Sequence, residues 1–168
     1  QRQNPEGRHK MEEQLRVFLA ELDAQWKEIL KVYLSVDKKS ELLKRNIDNE
    51  DLTNSLAYKL HNLYSAYEDM FKLIAAFFEN QIEDMAKYHT DLLKRMLIEI
   101  EGIRPNILSE ESFKVLDELR GFRHVFRHAY SYELDAERIV GLAGKSMRLK
   151  HSFAKDFEDF KNRLRAEE

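Results

Sequence analysis

The 168-residue chain has no cysteine. Disulfide scaffolds, thiolate metal sites and cysteine nucleophiles are therefore excluded, and a reducing, cytoplasmic setting is expected. Proline occurs twice and glycine five times, and neither occurs between Arg8 and Glu101. A stretch that long without a breaker predicts long helices. No apolar run approaches the length of a membrane span and no signal-peptide core is seen, so no membrane partner is expected. There is no phosphate-cradling glycine loop, no G-x-S-x-G and no H-E-x-x-H. Nucleotide-hydrolase, serine-hydrolase and zinc-protease readings have nothing to rest on. The net charge of −3 gives no global field for nucleic acid, so any anion site must be local.

What is present is a strongly periodic apolar pattern. Residues 1–10 are polar, with Pro5 and Gly7, and are expected to be a disordered extension or an expression remnant; residues 11–168 form one domain. Leu15, Phe18, Leu19, Leu22, Trp26, Ile29, Leu30 and Tyr33 mark a first helix that fades near Val36, with a turn at Asp37–Ser40. A second run carries Leu52, Leu56, Leu60, Leu63, Tyr67, Phe71, Ile74 and Phe78, preceded by a polar break at Asn46–Asp51. Asn80 and Gln81 mark a corner, and a third run holds Ile82, Met85, His89, Leu92, Leu93, Met96, Leu97 and Ile100. Gly102 and Pro105 define a loop, and Ser109 before Glu110 and Glu111 reads as an N-cap. The fourth helix carries Phe113, Leu116, Leu119, Phe122, Val125, Phe126 and Ala129. Asp135 caps the fifth, which has Gly141 and Gly144 where a neighbouring backbone could approach closely. No useful strand alternation appears. The expected fold is an all-α antiparallel bundle of four to five main helices.

One segment breaks the acidic balance. From Arg120 to His128 there are three arginines, two histidines and no acid, and the octapeptide R-H-V-F-R-H-A-Y spans Arg123–Tyr130. A guanidinium fork matches phosphate oxygens, and an imidazole can move a proton near neutral pH. Arg123 and His128 are five positions apart, about 140° around an ideal helix. They can meet one ligand only if the helix ends near His128, or if a second copy faces the first in a two-fold homodimer.

Plainer readings stand beside this one. Arg123 and Arg127 could form surface ion pairs with neighbouring helices. His124 and His128 have metal-ligand spacing, but no third ligand stands at a matching offset, so no metal is assigned. His61, His89 and His151 read as isolated core or surface residues. Glu68 could be buried against an arginine of the motif, although a solvated face is the favoured reading. Tyr64, Tyr67, Phe71, Phe77 and Phe78 are core before they are a base-stacking platform.

Arg-x4-His-x-Tyr resembles the signature of the HepT ribonuclease toxins, within the HEPN superfamily of helical domains. The similarity extends through H-N-L-Y-S-A-Y-E-D-M-F-K-L-I-A, E-I-E-G-I-R-P-N-I-L-S and L-D-E-L-R-G-F-R-H-V-F-R-H-A-Y, roughly His61 to Phe160. That resemblance implies a cofactor-free, metal-independent, homodimeric endoribonuclease of a toxin–antitoxin module. Its implied partners are RNA and an MntA-like minimal nucleotidyltransferase antitoxin that transfers AMP to the motif tyrosine. Carried over, Arg123 and His128 become the catalytic pair, His124 the auxiliary polar position and Tyr130 the AMPylation target. Arg120 and Arg127 would steer the RNA backbone. Two other classes share the same motif: an inactive HEPN module that binds nucleotide or assists a nucleotidyltransferase, and a purely structural bundle.

Overall fold

A computed structural model describes residues 5–79, 92–128 and 133–166. The first helix, α1, runs Pro5–Arg45. Proline suits its first turn, where the missing N–H has no intrahelical acceptor. Residues 5–10, expected as part of a disordered extension, are helical and exposed; Arg8 pairs with Glu12 and His9 with Glu13, each at 3.3 Å. The turn expected at Asp37–Ser40 does not occur. Val36, Ser40 and Leu43 are buried and continue the three-to-four spacing, while Asp37 and Lys38 fall on the solvent side. A polar cluster there is one helix face, and nothing in it breaks helix.

The real break is the Asn46–Asn49 turn. Asn46 N–H donates to Leu43 O (3.0 Å) and Asn49 N–H to Asn46 O (2.9 Å). Asn49 then caps α2 (Glu50–Glu79), its Oδ1 accepting from Leu52 N–H at 3.0 Å. So short a link between long helices forces an antiparallel hairpin. Its register shows in Gln25 with Ala66, Tyr33 with Tyr67 and Phe18 with Phe77.

The described part of α3 covers 92–97, where Leu92, Leu93 and Met96 are buried. Ile82, Met85, His89 and the Asn80–Gln81 corner lie outside the described residues. The expected loop follows. Gly102 takes φ 73°, a left-handed value that glycine adopts at little cost, and the chain returns so that Ile100 N–H donates to Arg104 O at 2.9 Å. Arg104 is sealed inside this loop. Its guanidinium donates to the carbonyls of Arg95 (3.0 Å), Ile98 (3.2 Å) and Pro105 (3.2 Å), and to Glu79 of α2 at 3.4 Å.

Ser109 caps α4 (Glu110–Arg127) as expected, accepting from Ser112 N–H at 3.2 Å. Both its N–H (3.0 Å) and its hydroxyl (2.9 Å) donate to Asp156 of α5 (Ala136–Ala166). Asp135 caps α5 through Glu137 N–H at 3.0 Å. The pairs Ser109–Asp156, Ser112–Ser152 and Glu118–Lys145 make α4 and α5 antiparallel. Helix α2 packs against α1, α4 and α5 and is the central element. Around it Trp26, Tyr33, Tyr67, Phe71, Phe153 and Phe157 interlock, with the buried Tyr33 and Tyr67 hydroxyls 2.6 Å apart. Among the described residues there is no strand beyond the Ile100–Arg104 bridge, and the fold is the expected all-α bundle. No described helix is long and apolar enough to cross a membrane.

Candidate active site at the end of the motif helix

The motif straddles the place where α4 stops. Arg123 to Arg127 complete its last turns, and His128 is the C-cap, with φ −108° and ψ 7°. Its N–H still reaches Val125 O at 3.2 Å, but its backbone has left the helix. This is the first of the two conditions set by the 140° offset: the chain bends away at the histidine. Ala129 and Tyr130, the tyrosine that the resemblance makes an AMPylation target, lie outside the described residues.

The motif side chains separate into two sets. Arg123 turns inward. Its Nη1 donates to Glu68 Oε2 at 2.9 Å, and its guanidinium carbon stands 5.6 Å from the centre of the Tyr64 ring. The Arg123 side chain is 15% exposed and that of Glu68 is 5% exposed, so this is not the surface ion pair of the plainer reading. It also overturns the favoured view of Glu68 as part of a solvated face. The signal was available. Leu60, Leu63, Tyr64, Tyr67 and Phe71 form the buried stripe of α2, and Glu68, one turn beyond Tyr64, falls on it. An acid on an apolar stripe requires a buried cation, and the acid-free window of α4 supplies one.

His128 turns outward and is exposed. Its Nδ1 lies 2.8 Å from His124 O. A carbonyl only accepts, so Nδ1 carries the proton and Nε2 of the neutral ring is the basic nitrogen. His124 and His128 rings lie 4.5 Å apart, as their shared face requires. Among the described residues no three His, Asp or Glu side chains gather into a group that could hold a metal. Arg127 is exposed and has no ion-pair partner among the described residues, whereas Arg120 gives Asp117 two hydrogen bonds, at 2.9 and 3.1 Å. No hydrogen bond joins Arg123 to His128.

Sequence reasoning also passed over His61 as isolated. Its ring lies 5.5 Å from that of Phe126, which places it against the motif helix, and its buried Nδ1 has no hydrogen-bond partner among the described residues. Burial lowers its pKa, and the positive charges of Arg123 and Arg127 lower it further against an opposing contact with Asn62. Burial raises the Tyr64 hydroxyl well above its ordinary range, and the Glu68 charge adds to this. Tyr64 is therefore a neutral, fixed surface under the guanidinium.

No curated protein and no solved structure matches the chain. A family model described as HepT-like protein matches residues 55–164, from the second turn of α2 almost to the end of α5, and so includes Tyr64, Glu68 and the whole motif. That match covers more than half of the sequence, and with the helical bundle and the motif at the end of α4 it is decisive: the chain belongs to the HepT-like family of helical HEPN proteins, a nuclease-related family tied to toxin–antitoxin modules.

Proposed function

We propose that this protein is a metal-independent endoribonuclease toxin, acting through Arg123 and His128 and silenced by AMP transfer to Tyr130. The observation that carries the reading is the division of labour at the end of α4: a guanidinium held in place on α2 and an imidazole with its basic nitrogen open to solvent.

The chemistry follows from those two groups. A ribose 2′-hydroxyl attacks the adjacent phosphorus, a bond forms from O2′ to P, and the P–O5′ bond breaks. His128 Nε2 takes the 2′ proton or, once protonated, delivers one to the leaving 5′ oxygen. Arg123 stabilises the negative charge that builds on the phosphoryl oxygens. The products are a 2′,3′-cyclic phosphate and a 5′-hydroxyl, with no water or metal in the step. Arg127, which has no acidic partner among the described residues, guides the backbone; Arg120 joins it when its exposed pair with Asp117 opens, a pair of the kind that contributes only about 0.5 kcal/mol. His124 assists through its ring, which packs 4.5 Å from that of His128; the backbone carbonyl that holds His128 Nδ1–H is there whatever the residue.

Because Arg123 and His128 diverge within one copy, the working site combines the two motifs of a homodimer. An MntA-like nucleotidyltransferase is the partner that modifies Tyr130. AMP there places a bulky anion beside the arginines, where it competes with the RNA phosphate.

The test is cleavage of RNA in excess EDTA. Cyclic-phosphate ends are expected, with Arg123→Ala and His128→Ala inactive and non-toxic and His124→Ala only weakened. Tyr130→Phe is expected to remain toxic when the antitoxin is co-expressed. Loss of cleavage on chelation would overturn the mechanism, and an intact, folded wild type that cleaves no RNA would leave an inactive HEPN module as the correct reading.

A further inference from the structure

We infer that Glu68 is the positioning residue of this active site: a buried carboxylate on α2 that sets the direction of the Arg123 guanidinium. The inference rests on the ribonuclease reading above and adds to the motif a residue fifty-five positions upstream of Arg123.

Glu68 stands where an apolar side chain would pack most simply. It lies on the buried stripe of α2, and a carboxylate taken out of water costs several kcal/mol unless it is well paired. Among the described residues Arg123 and Lys72 pair it. Oε2 accepts from Arg123 Nη1 at 2.9 Å, and Oε1 faces Lys72 Nζ at 3.4 Å. A buried pair of this kind rarely adds stability over a hydrophobic replacement. What it does supply here is geometry.

Arg123 reaches α2 through a long side chain with many rotamers. Two contacts and burial restrict that freedom. Glu68 holds one edge of the guanidinium, Tyr64 lies near it at 5.6 Å, and the Nε end is buried, with no acceptor among the described residues. Tyr64 is itself 1% exposed, so it cannot follow a moving arginine. The Tyr64 and Glu68 positions are one turn apart on α2, and both therefore face α4 together. Nη2 donates to no described residue. It is the part of the fork left for a phosphoryl oxygen.

This arrangement separates two properties of the arginine. Its charge comes from Arg123 alone, and its aim comes from Glu68. Losing the aim leaves RNA attraction to the basic segment largely intact but misplaces the group that must meet the transition state. A misplacement of about 1 Å is enough to cost roughly a hundredfold in rate.

The experiment compares Glu68→Gln and Glu68→Leu with wild type in steady-state cleavage of one oligoribonucleotide, with thermal unfolding as the fold control. The expected result is a kcat loss of about a hundredfold for Glu68→Leu with KM changed by less than about threefold. A smaller loss is expected for Glu68→Gln, which keeps an acceptor oxygen for Nη1. Lys72→Met should stay within about twofold of wild type, because it leaves the Arg123 contact in place. Should Glu68→Leu not fold, Glu68→Gln together with the Arg123 Nε–H resonance decides the matter, a broadened or shifted signal being expected. Full kcat in folded Glu68→Leu, or in Glu68→Gln with an unchanged Arg123 resonance, overturns the inference. A wild type without cleavage overturns the ribonuclease reading instead, and the resonance still reports whether Glu68 orders Arg123.

Discussion

Arg104 and His61 show what single buried side chains do in this bundle. Arg104 is a buried cation whose guanidinium is satisfied mainly by carbonyls, and these belong to the turn that links α3 to α4. A lysine has one donor point where three directions are needed, so Arg104→Lys should rescue little of what Arg104→Met loses. Arg104→Met is expected to cost about 3 kcal/mol or more in urea unfolding, because Glu79 keeps only Arg95 and three carbonyls lose their donor. His61 carries a pH signature. Its folded pKa is lowered from the ordinary 6.5, so as pH falls through that value the unfolded chain takes up a proton that the folded chain refuses. The contribution of neutral His61 is therefore complete above the ordinary value and is lost as pH drops toward the lowered one. His61→Gln should flatten the pH dependence of the melting temperature across that acidic window; an unaltered slope would show that its ring is solvated in the folded state.

At the scale of helices, α5 offers the simplest test. A close backbone approach was expected at Gly141 and Gly144, but an added methyl group at either would meet nothing within 4 Å. No contact among the described residues explains two glycines in the interior of that helix. Gly141→Ala and Gly144→Ala should each stabilise the isolated chain by about 0.5–1 kcal/mol, read as a higher melting temperature. The helices themselves were largely legible in the sequence. Apolar spacing located α1, α2, α4, α5 and the described part of α3, and Ser109 and Asp135 announced their caps because a capping side chain acts within three residues of itself. The turn wrongly expected at Asp37–Ser40 failed for a definite reason: charge clusters mark turns only when they interrupt the buried stripe, and Val36, Ser40 and Leu43 carry it through. The site was half legible. Arg-x4-His-x-Tyr is contiguous and could be read directly, but its Glu68 and His61 neighbours come from another helix. Their meaning depends on the α2–α4 register, which no local pattern encodes.

For the whole molecule, the open question is assembly, and α4 supplies the handle. Val125 sits between the two motif histidine turns and is 53% exposed. A two-fold pairing that brings both motifs into one groove would cover it. Light scattering should therefore give a dimer at micromolar concentration, and Val125→Glu should shift it toward monomer with a matching loss of RNA cleavage; a Val125→Glu protein that remains dimeric and active places the contact elsewhere. The way α4 is mounted bears on how such a groove would work. Its root is fastened to α5 by Ser109, Asp156, Ser112 and Ser152, its middle by buried Leu116 and Leu119, and its far end by the Arg123–Glu68 tie and the Phe126–His61 ring contact. In mechanical terms α4 is a cantilever stayed short of its tip. Deflection of such a beam grows beyond the last stay, so more travel is expected at His128 than at Arg123. Under the proposed ribonuclease reading, the two groups would act as the moving and the fixed jaw of a clamp: the side that carries the proton would follow the substrate, and the side that holds the phosphate would stand still.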